Sequence, residues 1–151
     1  MLNHSDGSFL LIADDDPDDR LMMDEVLRES ALAGQFRFFE DGEQVMDYLL
    51  RRGEYAPPPH APRPGLILLD LNMPRKDGRE VLREIKNNDE LRRIPVLVLT
   101  TSRAEEDMLR SYDLGANSYI TKPTSFERLE ALMRAVHLYW VDFVQLPPLN
   151  S

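Results

Sequence analysis

Cysteine is absent from this chain of 151 residues. Without a thiol, the protein can form no disulfide bond, no cysteine-ligated metal site and no thiolate nucleophile. The absence also fits the reducing conditions of the cytoplasm, so a cytoplasmic location is expected. Long apolar runs are absent too: no stretch approaches the roughly 18 residues of a transmembrane helix, and residues 1–8 lack the features of a signal peptide. The sequence therefore predicts no membrane association.

Positive charge is scarce in the sequence. The chain has 18 Lys and Arg against 27 Asp and Glu, which gives a net charge of -9. Because proteins bind nucleic-acid phosphates chiefly through an excess of Lys and Arg, this balance argues against a nucleic-acid-binding protein. With 42% hydrophobic and 30% charged residues, the composition is that of an ordinary globular domain.

Short apolar runs alternate with amphipathic segments of helical periodicity. The runs cover residues 9–13, 36–39, 66–71, 96–100 and 118–121. This alternation predicts βαβ units, and right-handed crossovers then favour an open, doubly wound parallel sheet. We expect a flavodoxin-like (βα)5 α/β sandwich with strand order 2-1-3-4-5 and a prolonged C-terminal helix.

One domain is expected from residue 9 to residue 144, with tails at residues 1–8 and 145–151 and no output domain. Residues 51–65 contain five prolines and are expected to form an extended spacer. A proline-rich docking segment is the alternative. The spacer leads into the third strand, so it should lie opposite the carboxyl ends of the strands, where such sheets bind ligands.

Acidic residues follow two strands that are neighbours in the expected sheet. Asp14 and Asp15 come directly after the first strand, and Asp70 stands near the end of the third. Two carboxylates about 4 Å apart repel by roughly 4 kcal/mol at an effective dielectric near 20, so this group needs a compensating cation. Mg2+ suits a few carboxylates plus water. Taken alone, Asp70 has two equal interpretations, as a site residue or as a residue that terminates a strand.

Acidic residues also lie at the start of the first predicted helix. Asp16, Asp18 and Asp19 are interpreted structurally, Asp16 as the helix cap and the other two as partners of the helix dipole.

Two further polar residues end the remaining central strands. Thr100 ends the fourth strand, and Lys122 ends the fifth. They bring a hydroxyl donor and a positive charge to the same edge as the acids. A nucleophilic carboxylate, a metal, a lysine and a hydroxyl are the groups that phosphoryl transfer requires.

Four segments together resemble the successive motifs of response-regulator receiver domains of two-component signalling. They are LLIADDDPDDR (residues 10–20), LLDLNMPRKDG (68–78), VLTTS (98–102) and YITKP (119–123). The resemblance implies that Asp70 is the phosphoacceptor and that Asp14 and Asp15 are the acidic pair. It further implies that Asp15, Asp70 and the backbone carbonyl of Asn72 hold Mg2+.

The same resemblance assigns roles to residues of the last two strands. Thr100 and Lys122 would contact the phosphoryl group, and Tyr119 would be a switch residue that reorients with Thr100. The Lys122–Pro123 peptide bond would be cis, as is usual in the family. The chain would then be a self-phosphorylating and self-dephosphorylating signalling switch, not a turnover enzyme.

The last helix, about residues 125–144, is longer than the sheet requires. Its expected core stripe is spaced three and four residues apart and comprises Phe126, Leu129, Met133, Val136, Trp140 and Phe143. Leu138, Tyr139 and Val141 then point elsewhere and are expected to form an interface. An extended helix that folds back over its own domain is the alternative.

This helix and the segments RRGEY, KDGREVL and RRIPVLVLTTS resemble the small response regulators associated with bacterial and cyanobacterial phytochromes. The resemblance implies a phytochrome-type sensor histidine kinase as phosphodonor and a homodimer through the final helix and the fifth strand.

Two other functions stay open at this stage. A Mg2+-dependent phosphatase would use an aspartyl nucleophile, but such enzymes usually carry a second aspartate where Asn72 stands. A pseudo-receiver would be an interaction module that is not phosphorylated, and the set Asp15, Asp70, Thr100 and Lys122 argues against it.

Overall fold

The computed structural model describes residues 9–29, 35–59 and 61–148, so the N-terminal tail and the last three residues lie outside the described part. Strands and helices alternate along the chain, as the apolar runs predict. Their order is β1 (Leu10–Ala13), α1 (Pro17–Arg28), β2 (Phe36–Phe39), α2 (Gly42–Leu49), β3 (Leu66–Leu69), α3 (Gly78–Asn87), β4 (Val96–Thr100), α4 (Glu105–Asp113), β5 (Ser118–Thr121) and α5 (Phe126–Val136).

All strand pairs are parallel, and the sheet order is β2-β1-β3-β4-β5. This confirms the expected flavodoxin-like topology. Ala13 of β1 pairs with Leu69 of β3, and the Asp70 amide donates to the Ala13 carbonyl at 3.0 Å. The two strands therefore end at the same level, which brings the residues after them to one place.

Alternation along each strand divides the core between the two faces of the sheet. Leu10 and Ile12 pack with the buried side chains of α1 and α5, whereas Leu11 and Ala13 pack with those of α2 and α3. Because both faces are covered, the central strands are apolar at nearly every position.

Aspartates set the start of three helices. Asp16, Asp41 and Asp77 each precede a helix and accept hydrogen bonds from its first free backbone amides. These bonds fix the turn that leaves each of β1, β2 and β3, and so fix the loops around the carboxyl edge of the sheet.

The C-terminal helix continues as predicted, but its winding changes. After Val136 the chain forms a π-helical segment, His137–Phe143, in which the Val144 amide donates to the Tyr139 carbonyl at 2.9 Å. Residues five apart share a face where bonds run from i to i+5. Val141 is therefore buried with Val136, at 5% exposure, and Phe143 is 71% exposed.

Because of this winding, part of the predicted C-terminal surface is wrong. Leu138 and Tyr139 are exposed as predicted, but Val141 belongs to the core and not to an interface. The core stripe holds for Leu129, Met133 and Val136, with Trp140 partly buried. Phe126 and Phe143 are exposed.

The proline-rich spacer is tied to α2. The hydroxyl of Tyr48, on α2, donates to the Pro62 carbonyl at 2.6 Å. Within the spacer, the Arg51 guanidinium donates to the Ala61 carbonyl at 2.9 Å. Within the described ranges, no helix has both the length and the apolar character of a transmembrane span.

Candidate functional site

Three carboxylates meet at the carboxyl edge of the sheet. Asp14 and Asp15 follow β1, Asp70 follows β3, and each offers one oxygen within 4.8 Å of the other two. Asp14 and Asp70 are buried, whereas Asp15 is exposed. The structure thus brings together the acidic group that the sequence predicted.

The ammonium of Lys122 lies among these acids. Lys122 Nζ is 2.9 Å from Asp14 Oδ2 and 3.2 Å from Asp70 Oδ2, and the side chain is only 7% exposed. Burial by itself lowers the pKa of Lys122, but hydrogen bonds to carboxylates and their charges outweigh it and raise that pKa well above its usual value. Lys122 is therefore a permanent positive charge in this pocket.

One carboxylate oxygen of Asp14 is under-satisfied. Its Oδ1 accepts from the Asp16 amide at 2.9 Å. Its buried Oδ2 has no hydrogen-bond partner of good geometry among the described residues, although the Lys122 ammonium forms an ion pair with it. Burial raises the pKa of Asp14, and the contacts with Lys122 and Asp16 offset only part of that rise. An under-satisfied oxygen in an acidic group suits a divalent cation.

Backbone contacts hold Asp70 in place. Its Oδ1 accepts from the Asn72 amide at 3.2 Å, so the loop after β3 turns back over the carboxylate. The Gly78 amide donates to the Leu71 carbonyl at 2.9 Å, which joins the start of α3 to the same loop. The predicted role of the Asn72 carbonyl as a metal ligand stays a prediction.

Thr100 and Lys122 close the other side of the site. Thr100 is fully buried at the end of β4 and pairs with Thr121 of β5. The Lys122 amide donates to the Thr100 carbonyl at 2.7 Å, so the ends of β4 and β5 lie side by side. The expected cis bond at Lys122–Pro123 is wrong, because the bond is trans, the form an X–Pro bond takes unless its surroundings select cis.

Tyr119 is tied to the loop that follows Thr100. Its hydroxyl donates to the Ser102 carbonyl at 2.9 Å, and its ring is partly buried against the core. The Thr100 hydroxyl accepts from the Ser102 amide at 3.4 Å. Both predicted switch residues therefore contact Ser102, so movement of the loop that follows Thr100 would change a hydrogen bond of each residue.

Asp19 is the site residue that the sequence interpretation missed. Its Oδ2 lies 2.9 Å from Lys122 Nζ, as close as that of Asp14, so its structural interpretation as a helix-dipole partner was incomplete. One signal was present in the sequence: Asp19 is the third residue of α1, which starts just after the acidic pair. Helical side chains lean towards the helix N-terminus, here towards the site.

Comparisons with known proteins agree with this geometry. Residues 10–134 match the family described as response regulator receiver domain. Response regulator Rcp1 of Synechocystis sp. is 46% identical over 138 residues, which cover 91% of this chain and 91% of Rcp1.

Two solved structures are similar over nearly the whole fold. The Mn2+-bound form of response regulator Rcp1 matches with a TM-score of 0.85 and 42% identity. The phosphorylated cyanobacterial phytochrome response regulator RcpA matches with a TM-score of 0.86 and 42% identity. Each comparison covers 93% of this chain and 99% of the other.

Proposed function

The chain belongs to the response regulator receiver domain family, and we propose that it is a signalling switch whose phosphoacceptor is Asp70. The observation that carries this proposal is the position of the Asp70 carboxylate, buried between acidic neighbours and 3.2 Å from the Lys122 ammonium. A carboxylate so placed is a nucleophile with a fixed positive charge beside it.

The proposed reaction transfers a phosphoryl group from a phosphohistidine. A carboxylate oxygen of Asp70 forms a bond to phosphorus while the P–N bond of the donor breaks, and the imidazole nitrogen keeps the electron pair. Lys122 and Thr100 then contact the transferred phosphoryl oxygens. Charge and hydrogen-bond donors already in place lower the barrier, because they need no reorganisation during the reaction.

Mg2+ is the proposed metal of this site. Asp14, Asp15 and Asp70 supply the oxygen ligands that a hard divalent cation prefers, and Asp14 Oδ2 is buried and under-satisfied. A bound divalent cation would offset the carboxylate charges and stabilise the negative charge of the phosphoryl group. The Asn72 carbonyl completes the proposed ligand set. The Mn2+-bound form of Rcp1 supports a divalent ion at such a site.

The proposed output is a movement of the β4–α4 loop. A phosphoryl group on Asp70 would attract the Thr100 hydroxyl, which now accepts from the Ser102 amide. Tyr119, whose hydroxyl donates to the Ser102 carbonyl, would lose or change this contact. The structural change would thus reach α4 and β5, on the surface beside the switch residues.

A phytochrome-type sensor histidine kinase is the proposed phosphodonor, and a cytoplasmic location is part of this proposal. Support comes from the similarity to the phosphorylated cyanobacterial phytochrome response regulator RcpA. The receiver domain is proposed to span residues 9–144, with the helical segment up to Phe143 as its last element.

Phosphorylation can be tested directly. The protein is incubated with Mg2+ and acetyl phosphate, and intact mass is followed over time. We expect one added phosphoryl group on the wild type and on Asp89→Asn, which changes an aspartate with a side chain 94% exposed. We expect none on Asp70→Asn. A wild type that gains no phosphoryl group, or an Asp70→Asn variant that gains one, would contradict the proposal.

A homodimer through the final helical segment and β5 is also proposed. Leu138, Tyr139 and Phe143 expose 52%, 59% and 71% of their surfaces, which is unusual for apolar side chains close together on one segment. β5 is an edge strand of the sheet that the described residues form, so it has one side free to meet a second copy of the chain.

Light scattering tests the dimer. We expect the mass of two chains for the wild type and of one chain for the double variant Leu138→Glu, Tyr139→Glu. Leu21→Glu is the control, because Leu21 is 68% exposed on α1 and belongs to neither the final helical segment nor β5. If the double variant has the same mass as the wild type, this segment does not form the dimer interface.

A further inference from the structure

Lys122 is shared by carboxylates from three different elements. Its Nζ lies 2.9 Å from Asp14 Oδ2, 2.9 Å from Asp19 Oδ2 and 3.2 Å from Asp70 Oδ2. Asp14 and Asp70 belong to the acidic group that can hold a metal, whereas Asp19 lies on α1 outside that group. One of the three partners is therefore independent of the metal ligands.

A divalent cation and this ammonium compete for the same oxygen. Asp14 Oδ2 is the buried, under-satisfied atom that a cation would use, and Lys122 Nζ now lies against it. A cation on Asp14 and Asp70 also repels the ammonium, because like charges only a few ångströms apart repel each other strongly. Lys122 must then give up its contact with Asp14 but stay close enough to contact a phosphoryl group.

We propose that Asp19 is a positioning residue that holds the Lys122 ammonium when a divalent cation occupies Asp14 and Asp70. The inference rests on the proposed metal site and deepens it. Asp19 is suited to this role because its contact with Lys122 uses no metal-ligand oxygen and its side chain is 28% exposed, so it can follow the ammonium outwards.

The alternative interpretation is that Asp19 only stabilises the first turn of α1 through the helix dipole. Asp18 provides the matched control, because it is the adjacent acid in the same turn and carries the same charge. Among the described residues, Asp18 forms no ion pair with a side chain, whereas Asp19 pairs with Lys122. A difference between the two variants therefore reports the Lys122 contact.

Mn2+ binding measures this role without any phosphoryl transfer. Free Mn2+ is followed by its electron paramagnetic resonance signal during titration of the wild type, Asp19→Asn and Asp18→Asn. We expect Asp19→Asn to weaken Mn2+ binding by about tenfold, as the loss of a partner outside the ligand set does, and Asp18→Asn by less than about twofold.

The Lys122→Met background separates positioning from simple loss of charge. Without the ammonium nothing competes for Asp14, so Asp19→Asn should weaken Mn2+ binding there no more than Asp18→Asn does. Lys122→Gln replaces the methionine variant if the latter does not fold. Phosphorylation by acetyl phosphate should show the same dependence: Asp19→Asn raises the Mg2+ concentration needed for the half-maximal rate, and Asp18→Asn does not.

Three results would overturn the inference. Equal Mn2+ affinity of the wild type and Asp19→Asn would mean that Asp19 has no role in metal binding, and the proposed metal site itself would still stand. A tenfold loss that persists in the Lys122→Met background would mean that Asp19 acts on the cation directly. A wild type that binds no Mn2+ would overturn the proposed metal site together with this inference.

Discussion

Gly78, the first residue of α3, lies against the backbone of Asp70, the proposed phosphoacceptor. A Cβ added at this position would be 2.1 Å from the Asp70 carbonyl oxygen and 2.7 Å from Leu71 Cα. Both atoms belong to the backbone, so no side chain can turn away to make room. Substitution of Gly78 by alanine must therefore move the end of β3, the start of α3, or both.

The size of the effect follows from these distances. An ordinary contact begins near 3.4 Å, so the Asp70 backbone and α3 must separate by about 1.3 Å. Overpacking typically costs about 1–3 kcal/mol, and loss of the bond from the Gly78 amide to Leu71 adds about 1 kcal/mol. Alanine returns about 0.5–1 kcal/mol by restricting the unfolded chain. These contributions sum to about 1–3.5 kcal/mol, so we expect Gly78→Ala to lose about 2 kcal/mol of unfolding free energy.

The same displacement should slow phosphorylation, because an error of about 1 Å in a reacting group costs roughly 100-fold in rate. Urea unfolding measures the first effect, and intact mass over time with Mg2+ and acetyl phosphate measures the second. Gly53→Ala is the control: Gly53 has a φ of +59° but no atom within 4 Å of an added Cβ. The Gly53→Ala variant should lose about 1 kcal/mol of unfolding free energy and be phosphorylated at the wild-type rate.

The reasoning would be refuted if Gly78→Ala were as stable as Gly53→Ala and were phosphorylated at the wild-type rate. A variant with lowered stability and an unchanged rate would show that α3 moves and Asp70 does not. That result would contradict the link between helix start and phosphoacceptor but not the steric argument.

Two further predictions concern other parts of the fold. Urea unfolding is measured in the Leu138→Glu, Tyr139→Glu background, which is expected to be monomeric. There Val141→Ala should cost about 2 kcal/mol, because it removes buried methyl groups, and Phe143→Ala less than about 0.5 kcal/mol. The reverse order would indicate continued α-helical winding. Arg79 Nη2 lies 2.9 Å from Asp107 Oδ2, and a double-mutant cycle should give a coupling of up to about 1 kcal/mol at pH 7. Hydrogen bonds from Ser102 and Arg79 lower the pKa of Asp107 in the folded state, so the coupling should be complete above the ordinary carboxyl pKa and disappear as the pH falls through the lowered value; a coupling that is independent of pH would contradict this.

The sequence alone was sufficient to predict the sheet and most of the site. Apolar runs with short polar interruptions identify strands buried on both faces, and the handedness of crossovers leaves few topologies. Once the order 2-1-3-4-5 is accepted, residues that directly follow neighbouring strands must meet at one edge. Asp14, Asp70, Thr100 and Lys122 could therefore be grouped before any coordinates, and the structure confirms that they lie together.

Tertiary structure decided the features that depend on how elements pack. Asp19 and Lys122 are 103 positions apart and meet only because the first turn of α1 packs at the end of β5. The position of Asp18 and Asp19 just after the acidic pair indicated that both lie near the site, and only this packing distinguishes Asp19 from Asp18. Val141 is buried, and Phe143 exposed, because the last helical segment widens to i to i+5 hydrogen bonds, which α-helical periodicity cannot anticipate. Local sequence determines which residues prefer strands, helices and caps, whereas distances between side chains of remote elements are set only when the core packs.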